Sequence, residues 1–402
     1  MENDKKYLKN LGSMIQNIIS DLKRTTFHIS NELNIDEELI KNAINGELEF
    51  KEVKTIIDKI YNHYPISFKD IYTEIDDTNK GIIYFSNEES YDSRRITKRN
   101  NINNEETEYY EYRDTALSRH SPFKPEWIKM LRVVNDSDPY NKDVILNKGH
   151  LLTQCTFFIG NVNFYYTINN KNYCIEMKTG DSNFITPYIP HSFTKPNNSE
   201  QSLIIAVTFS NKVRTNINDL LFTNINDINH ISGNVRNKNE LFLKKLYKKL
   251  DLKNISIDNF KNKLSVKFKE EEIKNLLENG IFNDNIYDRI IEILNILPHE
   301  LNVYGFNESD EVIIKYEKKD EWENNCKNLY VKNLASSKFF QNFSGSNNKI
   351  VGETEILKSS FHQYIYVYSN DITFEWGENL ENKKIIKQDE SLYIKPFVKY
   401  KL

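Results

Sequence analysis

The sequence has 402 residues but only 3 cysteines, 9 prolines and 12 glycines. The cysteines (Cys155, Cys174 and Cys326) lie far apart without metal-knuckle spacing, which favours reduced thiols in a cytosol over a disulfide framework. No GxGxxG motif and no P-loop occurs, so the sequence gives no indication of a nicotinamide- or nucleotide-binding loop.

Long apolar runs and a strong charge imbalance are missing as well. No stretch approaches the roughly 18 to 20 apolar residues of a membrane span, and the first ten residues lack the apolar run of a signal peptide. The formal net charge of -4 gives no electrostatic reason to expect a nucleic-acid or anionic-membrane partner. We therefore expect a cytoplasmic protein with neither kind of partner; whether it forms a homo-oligomer is left open.

The overall composition, with 39% hydrophobic and 28% charged residues, is typical of a globular protein. Residues 8–73 predict helices, because apolar residues such as Leu11, Ile15 and Ile18 recur at helical spacing; Gly46 is expected to cap one of these helices. From about residue 82, short apolar runs such as 82–85 and 203–207 predict β-strands.

Two segments of this strand region carry candidate metal ligands. Residues 147–154 read NKGHLLTQ and place His150 four residues before Gln154, and residues 180–192 read GDSNFITPYIPHS and contain His191. Together they resemble the two halves of a cupin metal motif. An even spacing puts His150 and Gln154 on one face of a strand, but about 13 Å apart if it is straight. Both therefore reach one metal only if the chain bends between them.

A third ligand, His191, is expected from a partner strand that faces the same interior. Three ligands on one side of a metal leave positions open for substrate and dioxygen, as in the facial triad of non-haem iron enzymes. That triad normally contains a carboxylate, whereas Gln154 offers a neutral amide oxygen and Ile185 offers no ligand. The alternative is that both histidines are ordinary, partly buried residues and the site is inactive.

The helix-then-strand order repeats along the chain. The segment IKNAING at 40–46 has a counterpart in IKNLLENG at 273–280, and ITPYI at 185–189 is echoed by IKPFV at 394–398.

We predict an α+β fold in which a helix-turn-helix-like unit plus a cupin β-barrel occurs twice. The second barrel is degenerate and without a metal site, because Tyr400 corresponds to His191 and Ser359 or Ser360 to His150. The predicted boundaries are 1–75 for the first helical unit, 76–211 for the catalytic barrel, 212–262 for a connecting segment with some helix, 263–302 for the second helical unit and 303–402 for the second barrel.

Three further segments point to a family. SRRITKR at 93–99, YEY at 110–112 and N-x-GH at 147–150 are similar, in this order, to hydroxyethylphosphonate dioxygenase and hydroxypropylphosphonate epoxidase. The chain thus resembles the phosphonate-processing cupins, in which two histidines and a glutamate bind Fe(II). The methylphosphonate synthase branch has a glutamine four residues after the first histidine and an apolar residue six before the second, as Gln154 and Ile185 are placed here.

The resemblance, which spans essentially the whole chain, implies an Fe(II)-dependent oxygenase that cleaves the C–C bond of 2-hydroxyethylphosphonate with O2. The products would be methylphosphonate and CO2, and no 2-oxoglutarate, flavin or nicotinamide would be needed. The implied metal ligands, with catalytic roles, are His150, Gln154 and His191. Lys23 is implied as a further catalytic residue, and the implied substrate-binding residues are Lys23, Arg99, Tyr112, Asn147, Asn183 and Ile185.

Three alternatives stay open at this point. One is a dioxygenase that converts the same substrate to hydroxymethylphosphonate and formate. Another is a cupin isomerase, which would consume no dioxygen. The third is a helix-turn-helix regulator with a cupin sensor, although its presumed recognition helix would begin with Asp36, Glu37 and Glu38, which would repel phosphates.

Overall fold

The structure is a computed structural model that describes residues 2–72, 75–196, 199, 201–209, 238–301, 311–337 and 343–402. The chain divides into two compact units. Unit 1 comprises Met1–Ile83, Leu117–Ser121 and Tyr393–Pro396, and unit 2 comprises Tyr84–Ala116, Pro122–Leu392 and Phe397–Leu402. Helices and strands are both present, so the prediction of a mixed α and β protein is confirmed.

Unit 1 is mainly helical. Its core is formed by the apolar residues that recur at helical spacing, and Leu11, Ile15 and Ile40 are fully buried. The predicted cap at Gly46 is confirmed, since this residue has φ 73° and donates its N–H to the carbonyl of Ala43. The helices are α1 (Glu2–Asp21), α2 (Thr26–Leu33), α3 (Glu37–Asn45), α4 (Phe50–His63) and α5 (Phe68–Ile71).

In unit 2, more of the described residues lie in β-strands than in helices. One sheet has seven strands in the order β11-β8-β5-β10-β4-β3-β2, and another has the order β7-β6-β9. A single strand, β1 (Ile82–Phe85), and the short helix α6 (Asn87–Asp92) precede them. The strands of the two sheets are β2 (Arg95–Asn100), β3 (Glu106–Arg113), β4 (Phe123–Met130), β5 (Thr153–Gly160), β6 (Val162–Ile168), β7 (Lys171–Met177), β8 (Ser182–Ile185), β9 (His191–Thr194), β10 (Ser202–Phe209) and β11 (Val312–Lys315).

The two sheets share one apolar core. Phe158 of β5, Phe164 of β6 and Ile204 of β10 are fully buried in it. Side chains on β5 alternate, since Phe158 belongs to this core whereas Phe157 and Ile159 pack in a second cluster on the opposite face of the sheet. Even-numbered residues of β5 therefore point between the two sheets, and Gln154 has the same parity.

The rest of unit 2 contains four helices and nine strands among the described residues. The helices bury a core that includes Phe242, Phe260 and Leu276. Of the predicted connecting segment 212–262, residues up to 237 lie outside the described part, and the remainder is helical. No described helix is long and apolar enough for a membrane span. The helices are α7 (Lys238–Leu252), α8 (Ile257–Ser265), α9 (Glu270–Asn279) and α10 (Asp284–Leu294); the strands are β12 (Glu323–Cys326), β13 (Leu329–Asn333), β14 (Ser346–Ile350), β15 (Leu357–Lys358), β16 (Gln363–Tyr366), β17 (Ile372–Trp376), β18 (Asn382–Ile386), β19 (Ser391–Ile394) and β20 (Lys399–Lys401).

Candidate metal centre

Backbone hydrogen bonds join the two motif segments that the sequence singled out. The N–H of Asn147 donates to the carbonyl of His191 at 3.0 Å, and the N–H of Tyr188 donates to the carbonyl of His150 at 2.9 Å. Gly149 has φ 72°, and a Cβ atom at this position would lie 2.4 Å from the carbonyl carbon of Tyr188. Only glycine fits here without strain. The close approach of the two loops therefore explains the glycine of the N-x-G-H segment.

His150 lies just before β5, where the chain bends. Its Nδ1 is 2.6 Å from the carbonyl oxygen of Leu152, and a carbonyl can only accept, so Nδ1 carries the proton. In the tautomer that has its proton on Nδ1 alone, the lone pair is on Nε2, and this atom lies 3.1 Å from Oε1 of Gln154. The bend brings together two side chains that a straight strand would hold apart.

His191, at the start of β9, is held in the same way. Its Nδ1 donates to the carbonyl of Ile189 at 2.8 Å, which leaves Nε2 as the lone-pair atom. Burial lowers the pKa of His191 to about 4, so the ring is neutral near pH 7. The ring centroids of His150 and His191 are 5.2 Å apart. The two imidazoles therefore lie beside each other, and in each ring Nδ1 rather than Nε2 is bonded to a backbone carbonyl.

This donor set fits a metal ion. When only Nδ1 of His150 carries a proton, the Nε2 lone pair faces the Oε1 lone pair of Gln154, and a cation beside both atoms removes their repulsion. Two cis ligands of an octahedral metal at about 2.1 Å would be about 3 Å apart, close to the 3.1 Å found here. No group of three His, Cys, Asp or Glu that could hold a metal occurs among the described residues, so a three-ligand site here depends on the amide.

Gln154 has a fixed second contact. Its Nε2 donates to Oγ1 of Thr156 at 2.9 Å. Across the β5–β8 pair, Gln154 lies opposite Ile185, and Thr156 lies opposite Asn183. Ile185 and Asn183 are both fully buried, and both amide atoms of Asn183 have no hydrogen-bond partner among the described residues. Ile185 thus supplies only an apolar wall beside the proposed ligand.

Two arginines, Arg99 and Arg132, lie over the ring of Tyr109. The guanidinium of Arg99 is 4.5 Å from the ring centroid of Tyr109 and donates to the backbone carbonyl of Ile145. Arg132 is 7% exposed, lies 4.8 Å from the same ring, and donates to the carbonyls of Arg99 and Asp143 at 2.9 and 2.7 Å. Neither arginine pairs with a carboxylate among the described residues; the guanidinium of Arg132 donates instead to three backbone carbonyls and to the hydroxyl of Thr107.

Hydroxyl groups extend this polar region. Tyr109 and Tyr110 are both buried because a β-bulge in the β2–β3 pair, between Thr97 and Lys98, turns successive residues inward. Their hydroxyls lie 2.8 and 3.0 Å from Oγ of Ser192. The ring of Tyr112 lies 5.7 Å from that of Tyr110, and burial raises the pKa of Tyr112, so its hydroxyl remains a donor.

Asn147 and Lys23, which were also predicted from the sequence, lie in different parts of the chain. Asn147 is fixed, because its Oδ1 accepts from the N–H groups of Gly149 and His191, each at 2.9 Å, while Nδ2 lies 3.1 Å from Nε2 of His191. Lys23 lies in unit 1, in the turn between α1 and α2, where it is exposed and has φ 57°. Its role at the metal centre remains a prediction.

Sequence reasoning missed Arg132 and Glu126. Glu126 belongs to the inward-facing set of β4, since Ile128 and Met130 of the same parity lie in the shared core, and burial raises its pKa. Glu126 lies in the middle of β4 and Arg132 lies just after that strand, and neither belongs to a recognisable motif. A strict alternation count along β4 would have found Glu126, whereas the burial of Arg132 depends on loop contacts that no local pattern predicts.

Comparisons with known proteins identify relatives of this chain. No family model matches the chain. The methylphosphonate synthase of Nitrosopumilus maritimus (strain SCM1) is 30% identical over 402 residues, covering 98% of this chain and 86% of that protein. The Streptomyces albus enzyme HEPD, solved with 2-hydroxyethylphosphonate and Fe(II) bound, superposes with a TM-score of 0.84 at 24% identity, covering 99% of this chain and 89% of that one.

A second solved structure, native PhpD with cadmium atoms, has a TM-score of 0.66 at 14% identity and covers 97% of this chain and 90% of that one. At these identities the two structures show the fold alone. The family assignment rests on the 30% identical methylphosphonate synthase, because the alignment covers 86% of the length of that protein. The chain therefore belongs to the methylphosphonate synthase family and is an enzyme of the phosphonate-processing, Fe(II)-dependent oxygenase class.

Proposed function

We propose that the enzyme cleaves the C–C bond of 2-hydroxyethylphosphonate with O2 and forms methylphosphonate and CO2. Atoms balance with one molecule of water as a further product. The relative that carries the family is named for the synthesis of methylphosphonate, and 2-hydroxyethylphosphonate is the ligand of the HEPD structure. In this chain the proposal rests on Gln154, which stands where a carboxylate is otherwise expected. Its amide oxygen lies 3.1 Å from Nε2 of His150.

The proposed metal ligands are Nε2 of His150, Oε1 of Gln154 and Nε2 of His191. Bound Fe(II) would supply dioxygen activation and would hold the substrate beside it. Backbone carbonyls accept the Nδ1 protons of both rings, so Nε2 of each ring is the nitrogen that would bind the metal. The protein also supplies a neutral amide in place of a carboxylate, so the centre keeps more positive charge than a site with two histidines and a glutamate.

The phosphonate group would bind beside Arg99. A phosphonate dianion needs cations and fixed donors, and Arg99 is partly exposed and lacks a carboxylate partner among the described residues. The hydroxyl of Tyr112 and the amide of Asn147 are further donors. Once a metal takes the Nε2 lone pair of His191, Nδ2 of Asn147 is released to donate to the substrate. We also propose Lys23, Asn183 and Ile185 as substrate-binding residues, with Lys23 acting in catalysis.

We further infer that residues 76–211 form the catalytic cupin barrel and that residues 303–402 form its degenerate copy, each preceded by a helix-turn-helix-like unit (1–75 and 263–302). Matching hydrogen bonds support this. The bond from Tyr188 N–H to the His150 carbonyl has a counterpart from Phe397 to Ser359, and the bond from Gly180 to Phe158 has one from Asp389 to Val367. In each case the two positions are 209 residues apart.

Replacing Arg99 with lysine is expected to raise KM for 2-hydroxyethylphosphonate by about 10-fold or more, with a smaller effect on kcat. A lysine ammonium is a point charge and cannot reproduce the planar donor fork of arginine. Steady-state kinetics with a dioxygen electrode measures both constants. Arg95→Lys is the matched control, because Arg95 is exposed and pairs with Asp114. An unaltered KM for Arg99→Lys would remove Arg99 from the phosphonate site.

The proposal is tested by product identification. The enzyme is loaded with Fe(II) under anaerobic conditions, mixed with 2-hydroxyethylphosphonate and exposed to O2, and the products are resolved by phosphorus NMR. Methylphosphonate with CO2 supports the proposed reaction. Hydroxymethylphosphonate with formate would replace it by the dioxygenase reaction. Turnover without dioxygen consumption would indicate an isomerase instead.

A further inference from the structure

We propose that Thr156 is a positioning residue that allows the amide of Gln154 to serve as a metal ligand. The inference rests on the proposed function, because it concerns the same three-ligand centre. An amide ligand differs from a carboxylate in one respect that matters here. When its oxygen binds a cation, its NH2 group is left to find an acceptor, and in a buried site an NH2 group without an acceptor is costly.

Thr156 provides that acceptor. Its Oγ1 lies 2.9 Å from Nε2 of Gln154, and both side chains are buried, with Thr156 fully so and Gln154 5% exposed. The two residues are two positions apart on β5, so they lie on the same face of the sheet. The contact leaves Oε1 of Gln154 as the atom directed at Nε2 of His150.

The surroundings of Thr156 are also suited to this role. Thr156 lies opposite Asn183 on β8 and opposite Ala206 on β10. Ala206 is small and apolar, so it offers no competing acceptor for the amide hydrogens. Both amide atoms of Asn183 lack a partner among the described residues, and facing side chains of an antiparallel pair lie close enough to interact. Neither neighbour is bonded to the Thr156 hydroxyl, so Gln154 has no competitor for Oγ1 among the described residues.

The test is a titration of the metal-free protein with Co(II), followed by its visible absorption, which reads the ligand field independently of turnover. Thr156→Val keeps the shape of the side chain and removes the acceptor. We expect it to weaken Co(II) affinity roughly 10-fold to 100-fold and to change the absorption spectrum. Thr156→Ser restores the hydroxyl and is expected to bind Co(II) within about 3-fold of the unaltered protein.

Two controls separate this role from general packing. Thr153→Val makes the same change on β5 at a position of opposite parity, where the threonine is fully buried and its hydroxyl has no hydrogen-bond partner among the described residues; it is expected to leave affinity unchanged. In a Gln154→Ala background, Thr156→Val is expected to have no further effect. An equal loss in both backgrounds, or unaltered affinity of Thr156→Val, would overturn the proposal. Failure of the unaltered protein to bind Co(II) would instead remove the proposed metal centre itself.

Discussion

The variant His191→Ala is expected to lose turnover by a factor of about 10³ or more, together with stoichiometric Fe(II) binding. His191 supplies one of three proposed ligands, and its lone pair is available because the carbonyl of Ile189 fixes the Nδ1 proton. A bound metal contributes several kcal/mol of transition-state stabilisation, which disappears when the metal is not held. Metal content by elemental analysis and initial rates of dioxygen consumption measure the two losses.

The matched control is His63→Ala. His63 is an exposed histidine at the end of α4, so its removal is expected to change neither metal content nor rate. Circular dichroism establishes that His191→Ala remains folded, since removal of one buried ring is expected to cost about 2 kcal/mol. A folded His191→Ala protein that still binds one Fe(II) and turns over would eliminate the proposed ligand set.

The second large effect is expected for Gly149→Ala. At φ 72° a residue with a Cβ atom is strained by about 1–2 kcal/mol, and the added atom would lie 2.4 Å from the backbone of Tyr188. The two loops must then separate, which moves His150 away from Gln154 and His191. We expect Fe(II) affinity to fall about 100-fold and the thermal midpoint to drop by several degrees, as measured by metal titration and calorimetry.

Gly345→Ala is the control for this substitution. Gly345 has no positive φ, and its nearest non-bonded atom, 3.1 Å from an added Cβ, is the end of the flexible Leu334 side chain. Its replacement is expected to shift the thermal midpoint by little and to leave metal affinity unchanged. If Gly149→Ala bound Fe(II) as tightly as the unaltered enzyme, the docking of the two loops would not be what positions His150.

The part of the candidate site predicted from sequence is the part encoded locally. The four-residue spacing of His150 and Gln154 required a bend, and the chain bends at Leu151 and Leu152 before β5 begins. Helix periodicity with its glycine cap likewise predicted the helices of unit 1. These features depend on residues close in the sequence, which is why a single sequence carries them.

What the sequence did not predict arises from contacts between distant segments. The burial of Arg132 requires the carbonyls of Arg99 and Asp143 to converge on it. The inward turn of both Tyr109 and Tyr110 requires a bulge, which breaks the alternation that strand prediction assumes. The polar contact of Gln154 with Thr156 could have been anticipated, because the two residues share a strand face, but only once the strand was known to be buried on both faces.

The order in which the sheet is assembled has a consequence for biosynthesis. β8, which carries Asn183 and Ile185, pairs on one side with β5 and on the other with β11, from Val312 to Lys315. While the polypeptide emerges from the ribosome, β8 keeps an unpaired edge until β11 has been translated. An open edge is a site for wrong pairing. We therefore expect nascent chains stalled before residue 312 to require chaperone protection, and iron loading to follow translation of β11.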